Sequence, residues 1–193
     1  MTRKEQLART RERLLDATVE CLVTYGHAHT TTQRIQDAAG VSRGALLHHF
    51  GSKSEVLVAA IHHIAQIRFD SISSTLSELD DGPDSLREMV RAIREAMTGP
   101  PFQAALELWA ASRTDEQLRA ALLPAERRLG EALREMFHLH AGIADPQDET
   151  VAFESLMALV RGLELTRNMR STSDVADRVV EAWLESVERL RSA

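Results

Sequence analysis

Residues 30–53 read TTTQRIQDAAGVSRGALLHHFGSK, and the fold turns on this stretch. A threonine hydroxyl at Thr30 or Thr31 can cap a helix by accepting from its free backbone N–H groups. Ile35 and Ala38 or Ala39 then face inward at helical spacing. Gly40 stands where that helix must stop, a position that favours a residue tolerant of positive φ. Val41 packs the elbow. Ser42 caps a second helix, Arg43 to Phe50, and Ser52 or Lys53 opens a third. Two short helices joined by a glycine-containing turn of about three to four residues have the sequence form of a helix-turn-helix. In such a unit the second helix enters the major groove of DNA and the first crosses the backbone. A helical hairpin that merely packs is the alternative.

The second helix is composed for reading DNA. Arg43 can fork to guanine O6 and N7, or pair with a phosphate. Gly44 and Ala45 let the backbone approach base edges, and Ala45 can touch a thymine methyl. Leu46 and Phe50, four apart, anchor the helix to its own domain. Arg43, Ala45 and His48 are therefore the expected base contacts. Thr31, Thr32, Ser42, His49 and Lys53 are the expected phosphate contacts, with the opening N–H groups of the next helix beside Lys53.

The segment AAGVSRGALLHHFGSKSEVLVAAI, residues 38–61, resembles the DNA-binding part of the TetR family of bacterial transcriptional regulators. RERLLDATVECLVTYGHAHTTTQRI, residues 11–35, resembles that family's first helix and the approach to its second. The resemblance implies an all-α protein, with an N-terminal three-helix helix-turn-helix domain (residues 1–53) and a C-terminal helical ligand-binding and dimerisation domain (residues 54–193). It also implies a homodimeric repressor. Leu47 departs from the pattern, because the family usually carries a phosphate-contacting Tyr there, so one backbone contact is missing.

Charge agrees once the chain is divided. The net charge of −6 does not suggest a nucleic-acid binder. Residues 1–53, however, carry eight Lys or Arg against five Asp or Glu, a net of +3, while the remainder holds 15 against 24, a net of −9. A basic head on an acidic body suits a DNA-docking end joined to a regulatory end. The composition, 44% hydrophobic and 27% charged, is ordinary for a globular protein, and abundant Leu, Ala, Glu and Arg favour helix. No apolar run reaches membrane-spanning length and no signal core follows Met1, so the expectation is a soluble cytoplasmic protein. Cys21, the only cysteine, forms no intrachain disulfide and falls on an inward face with Leu14, Leu22 and Tyr25.

Along the chain, residues 2–10 read as a charged, loose arm, and the first helix runs to Tyr25 and ends at Gly26. His27 to His29 read as a loop. A long helix from Ser52 or Lys53 passes through Val56, Leu57, Ala60, Ile61, Ile64 and Ile67 toward Leu79, and Asp80 to Pro83 break it. Leu86 to Met97 form a helix closed by Thr98-Gly99-Pro100-Pro101, and Phe102 to Ser112 form the next. Thr114 with Gln117 has the form of a capping box, and Pro124 is expected to kink or restart the helix that follows. That helix reaches His140, with Ala141-Gly142 ending it and Ile143 to Pro146 in a loop.

The last two helices are apolar over a wide arc and need partners on more than one side. The last two helices of TetR-like proteins typically form the dimer interface, and this resemblance implies it for Val151, Leu156, Leu159 and Val160 on the first and Val175, Val179, Val180, Trp183, Leu184 and Val187 on the second. An intramolecular bundle is the alternative. His62-His63 and His138 with His140 do not make a metal site, since adjacent helical residues point about 100° apart and no acidic or Cys cluster completes one. No phosphate loop, nucleophile elbow or HExxH motif suggests an enzyme, and no cofactor is expected. The family resemblance implies an effector pocket, for which Phe102, Leu106, Trp109, Met136, Phe137, Met157, Arg161, Leu163 and Asn168 are the candidates. Each is more often plain core, and no ligand class is indicated. The expected partners are a double-stranded DNA operator, a second copy of the chain and a small molecule, with no membrane. The alternative is a helical binding protein whose DNA readout has degenerated.

Overall fold

The Thr2 hydroxyl accepts from the Glu5 N–H at 3.3 Å while Glu5 Oε2 accepts from the Thr2 N–H at 2.8 Å, a reciprocal cap that starts the first helix at once. In this computed structural model, which describes residues 2–76, 82, 84–169 and 174–191, helix α1 spans Arg3–His29. The expected loose arm is therefore helical. The break at Gly26 is real, with φ 72° and ψ 167°, but the chain resumes a helical turn after it instead of looping. Thr30 closes that turn, since its hydroxyl donates to the Gly26 carbonyl at 2.8 Å and it is fully buried.

Helices α2 (Thr32–Ala39) and α3 (Arg43–His49) follow the sequence reading closely. Thr31 caps α2 by accepting from the Arg34 N–H at 3.3 Å. Gly40 ends it at φ 60°, in the left-handed region where a Cβ is strained. Ser42 caps α3 by accepting from the Ala45 N–H at 3.2 Å, and Phe50 closes it as the C-cap.

The remaining elements are α4 (Lys53–Leu76), α5 (Ser85–Ala96), α6 (Gly99–Ser112), α7 (Glu116–Ala141), α8 (Pro146–Leu165), a 3-10 turn (Arg167–Met169) and α9 (Asp174–Arg191). The described residues contain no strand. Leu79, Asp80, Asp81 and Pro83, where the break after α4 was expected, lie outside the described residues.

Two boundaries differ from the sequence reading for identifiable reasons. Pro100 and Pro101 open α6 instead of closing α5, because the first turn of a helix has no use for their missing N–H groups. Asp115, not Thr114, caps α7, accepting from the Leu118 N–H at 2.9 Å, while the Thr114 hydroxyl turns back to the Ala111 carbonyl. Pro124 lies inside an α7 that continues through it.

By packing, the chain divides into two units, residues 1–69 with 99–127 and residues 70–98 with 128–193. In the first unit, α1, α4, α6 and the start of α7 supply a second core. Leu14, Cys21, Ile35, Leu46, Phe50, Val56 and Ala60 form one buried cluster that holds α1 to α4 together. Val19, Leu22, Leu57, Ile61, Ile64, Ala105, Leu108 and Leu122 form the other. Burial raises the pKa of the Cys21 thiol, assisted by nearby Glu20, as suits a structural residue. Tyr25, expected inward, is exposed and carries the Arg34 guanidinium 4.2 Å above its ring centroid. Ile67 is likewise 37% exposed.

The second unit buries Leu86, Met89, Val90 and Ile93 of α5, Leu129, Leu133, Met136 and Phe137 of α7, and Phe153, Leu156, Met157 and Val160 of α8. Val180, Leu184 and Val187 of α9 are also buried, and α9 packs on α8. Arg87 with Glu181 and Arg94 with Asp177 tie α5 to α9 at the surface.

Candidate nucleic-acid interface

A reading helix must be anchored on one side and bare on the other. Helix α3 meets both conditions: Leu46 is fully buried, whereas Arg43, Gly44, Leu47 and His48 are exposed and Ala45 and His49 half-exposed. Among the expected phosphate contacts, Thr31 and Ser42 are exposed and Thr32 and Lys53 half-exposed. The hydroxyl oxygens of Thr31 and Ser42 accept cap hydrogen bonds, which leaves their O–H protons directed by whatever acceptor approaches.

At the start of α4 the Glu55 carboxylate accepts from the Gly51 N–H at 3.0 Å, and Ser52 Oγ accepts from the Glu55 N–H at 3.1 Å. That cap takes up part of the helix end expected to receive a phosphate. The ammonium of Lys53 thus becomes the stronger feature there. Burial lowers the His49 pKa, with His48 and Arg11 adding to the effect, which favours its neutral imidazole.

Two arginines that the sequence reading passed over hold this surface in place. The Arg13 guanidinium on α1 donates to the carbonyls of Ala39 and Gly40, at the turn between α2 and α3. Arg11 lies with its guanidinium carbon 5.4 Å from the Phe50 ring centroid, next to His49. Their basic character was legible in sequence; their partners 26 to 39 positions away were not.

The expected effector residues fall in both packing units. Phe102, Leu106 and Trp109 belong to the first, and Met136, Phe137, Met157, Arg161 and Leu163 to the second. Phe102, Met136, Phe137 and Met157 are buried. The Asn168 side chain lies outside those described. A residue missed in the sequence, Arg68 of α4, is buried in the first unit, 3.2 Å from Glu126 and within 5.0 and 5.7 Å of the Phe102 and Trp109 ring centroids.

Of the expected dimer residues, Val151, Val175 and Val179 are exposed, at 67%, 55% and 39%. Leu159 and Trp183 are half-buried, the latter donating from Nε1 to Ser155 Oγ at 2.9 Å. Leu156, Val160, Val180, Leu184 and Val187 are buried within the chain itself.

The profile of the family described as "Bacterial regulatory proteins, tetR family" matches residues 14–60, the span of α1 to α4 that builds this surface. The HTH-type transcriptional regulator BetI 2 of Chromohalobacter salexigens is 32% identical over 161 residues, covering 80% of this chain and 75% of that one. The chain belongs to the tetR family. The HTH-type transcriptional repressor AcnR of Corynebacterium efficiens is 29% identical over 126 residues, covering 65% of this chain and 62% of that one. Matches to uncharacterised mycobacterial regulators likewise span 62% of those relatives' length. Among solved structures, a TetR-family regulator of Cytophaga hutchinsonii shares the fold with a TM-score of 0.77 at 18% identity, covering 96% of both chains. A transcriptional regulator of Saccharomonospora viridis, solved in complex with choline, gives 0.74 at 20% identity, covering 94% of this chain and 96% of that one. As a tetR-family member the chain carries the match over its helix-turn-helix, and its described helices hold no segment long and apolar enough to cross a membrane.

Proposed function

We propose that this protein is a cytoplasmic, homodimeric transcriptional repressor that leaves a near-palindromic operator when a small molecule binds. The observation that carries the reading is the capped and exposed α3, held by buried Leu46 and presenting Arg43, Gly44, Ala45 and His48 outward. Arg43, Ala45 and His48 read bases; Thr31, Thr32, Ser42, His49 and Lys53 hold phosphates. Residues 1–53 form the reading domain and 54–193 the regulatory and dimerisation domain.

Dimerisation supplies the second head. Two heads centred about 34–36 Å apart, or a multiple of that, meet successive major grooves on one face of the duplex. Of the apolar residues assigned to the interface, Val151 on α8 and Val175 and Val179 on α9 stay exposed and are available to a second copy. The effector acts by binding the DNA-free form better than the DNA-bound form, since equal affinity shifts nothing. The repressor AcnR and the choline-bound fold neighbour support repression and small-molecule binding as the kinds of behaviour to test.

Leu47, 50% exposed on the reading helix, favours a second reading in which DNA readout has degenerated and the protein only binds a small molecule. Selection of bound fragments from a random DNA library separates the two. The repressor reading expects an enriched inverted repeat. Absence of any enriched motif would leave the binding-protein reading.

A further inference from the structure

Helix α1 outruns its own core. From Leu14 on its inner face is buried, through Leu15, Thr18 and Leu22, yet none of residues 3–13 is buried. The reciprocal cap between Thr2 and Glu5 starts these first three turns, about 16 Å of uncovered helix. Followed back at three-, four- and seven-residue spacing, the buried face becomes Arg11, Leu7 and Lys4.

Arg11 shows what that uncovered face adjoins. Its guanidinium carbon lies 5.4 Å from the ring centroid of Phe50, the C-cap of α3, and its charge helps to lower the His49 pKa. The strip therefore borders the C-terminal end of the reading helix. Charge is sorted around the rod as well. Lys4 and Arg11, seven residues apart, point within about 20° of each other and lie roughly 10 Å apart along the axis. Glu5, Glu12, Asp16 and Glu20 all fall roughly 100° or more from Arg11 by the same register. Neither Lys4 nor Arg11 makes an ion pair or hydrogen bond among the described residues, and Leu7 between them stays 37% exposed. Two cations without counter-ions at the edge of a DNA-reading surface suit a polyanion. One strand of a duplex, with a phosphate about every 3.4 Å of axis, is such a partner.

We propose that the first three turns of α1 lie along a DNA strand beside the groove entered by α3. Lys4 and Arg11 hold its phosphates, and Leu7 rests against its sugars. The proposal rests on the DNA-binding reading of α3 and adds contacts that position the duplex without reading its bases.

Salt titrations of the full chain on its selected operator and on a scrambled duplex, read by fluorescence anisotropy, test it. Lys4→Ala and Arg11→Ala should each weaken both duplexes alike, by about five- to tenfold per bound head near 0.1 M salt, and lower the salt slope by about one per head. Arg11→Lys should keep the slope, which separates lost charge from lost packing on Phe50. Arg9→Ala removes the same charge from the far side of the helix, about 160° from Arg11, and should leave the slope unchanged. An unchanged slope in both Lys4→Ala and Arg11→Ala, or an equal fall in Arg9→Ala, would overturn the proposal, while intact operator preference kept the reading of α3. Absence of operator preference in the wild type would overturn both.

Discussion

The Arg13 side chain on α1 donates to the Ala39 carbonyl at the end of α2, so the turn that sets α3 is fastened to a helix 26 residues earlier in the chain. The second bond, to the Gly40 carbonyl at 3.4 Å, closes the same turn. A hydrogen bond from a charged donor contributes about 1.5–3 kcal/mol, and the partly exposed setting here places Arg13→Ala near the lower end. For a chain of this size that corresponds to a fall of roughly 2–6 °C in melting temperature. Arg13→Lys should recover only part, because an ammonium does not reproduce the fork of a guanidinium. Thermal melting of the two variants checks this.

Gly40 makes an independent test of the same turn. At φ 60° an added Cβ costs about 1–2 kcal/mol in the left-handed conformation, and here it would also lie 3.2 Å from Arg13 Nη2. Gly40→Ala should therefore destabilise by about 1–2 kcal/mol or slightly more in chemical denaturation. The double variant Gly40→Ala/Arg13→Ala should lose less than the sum of the singles, since part of the alanine's penalty is the contact with Arg13.

These particulars show what the sequence could supply. Thr31, Gly40 and Ser42 were legible because a cap or a positive-φ stop is local chemistry, decided within about four residues. The anchor Leu46 and the bare positions Arg43, Gly44 and His48 followed from the same register. Arg13, Arg11 and Arg68 were not legible in their roles, because each is fixed by partners far along the chain. Pro100 and Pro101 misled for a different reason. Proline breaks a helix only where its missing N–H is needed and its ring has no room, and sequence does not show where a helix's first turn falls.

His27 gives the chain a pH-dependent stability term. Burial lowers its pKa, and the Lys53 ammonium lowers it further, against smaller opposing effects of Asp115 and Glu107. Its folded pKa lies below the ordinary value of 6.5, so between the two the unfolded chain binds more protons. Stability from this group is present above 6.5 and falls as pH drops through that window. The melting temperature should decline between pH 7 and 5.5 by less in His27→Gln than in the wild type. An equal decline in both would show that His27 does not contribute.

Leu47, 50% exposed on α3, can be given a hydroxyl by Leu47→Tyr. If the position faces the backbone, affinity should rise on all DNA sequences alike by up to about tenfold, one added hydrogen bond being worth roughly 0.5–1.5 kcal/mol. Fluorescence anisotropy on specific and scrambled duplexes distinguishes this from a change in sequence preference.

If α3 reads bases through Arg43 while Lys53 holds the backbone, one titration separates the two roles. Binding of the wild type, Arg43→Ala and Lys53→Ala is measured on the selected operator and on a scrambled duplex, over a range of salt. Arg43→Ala should lose about 1–3 kcal/mol of discrimination between the two sequences. Lys53→Ala should weaken both alike and reduce the salt slope by about one. If the two substitutions instead weakened binding equally on every sequence, with the same change in salt slope, α3 would not be reading the operator.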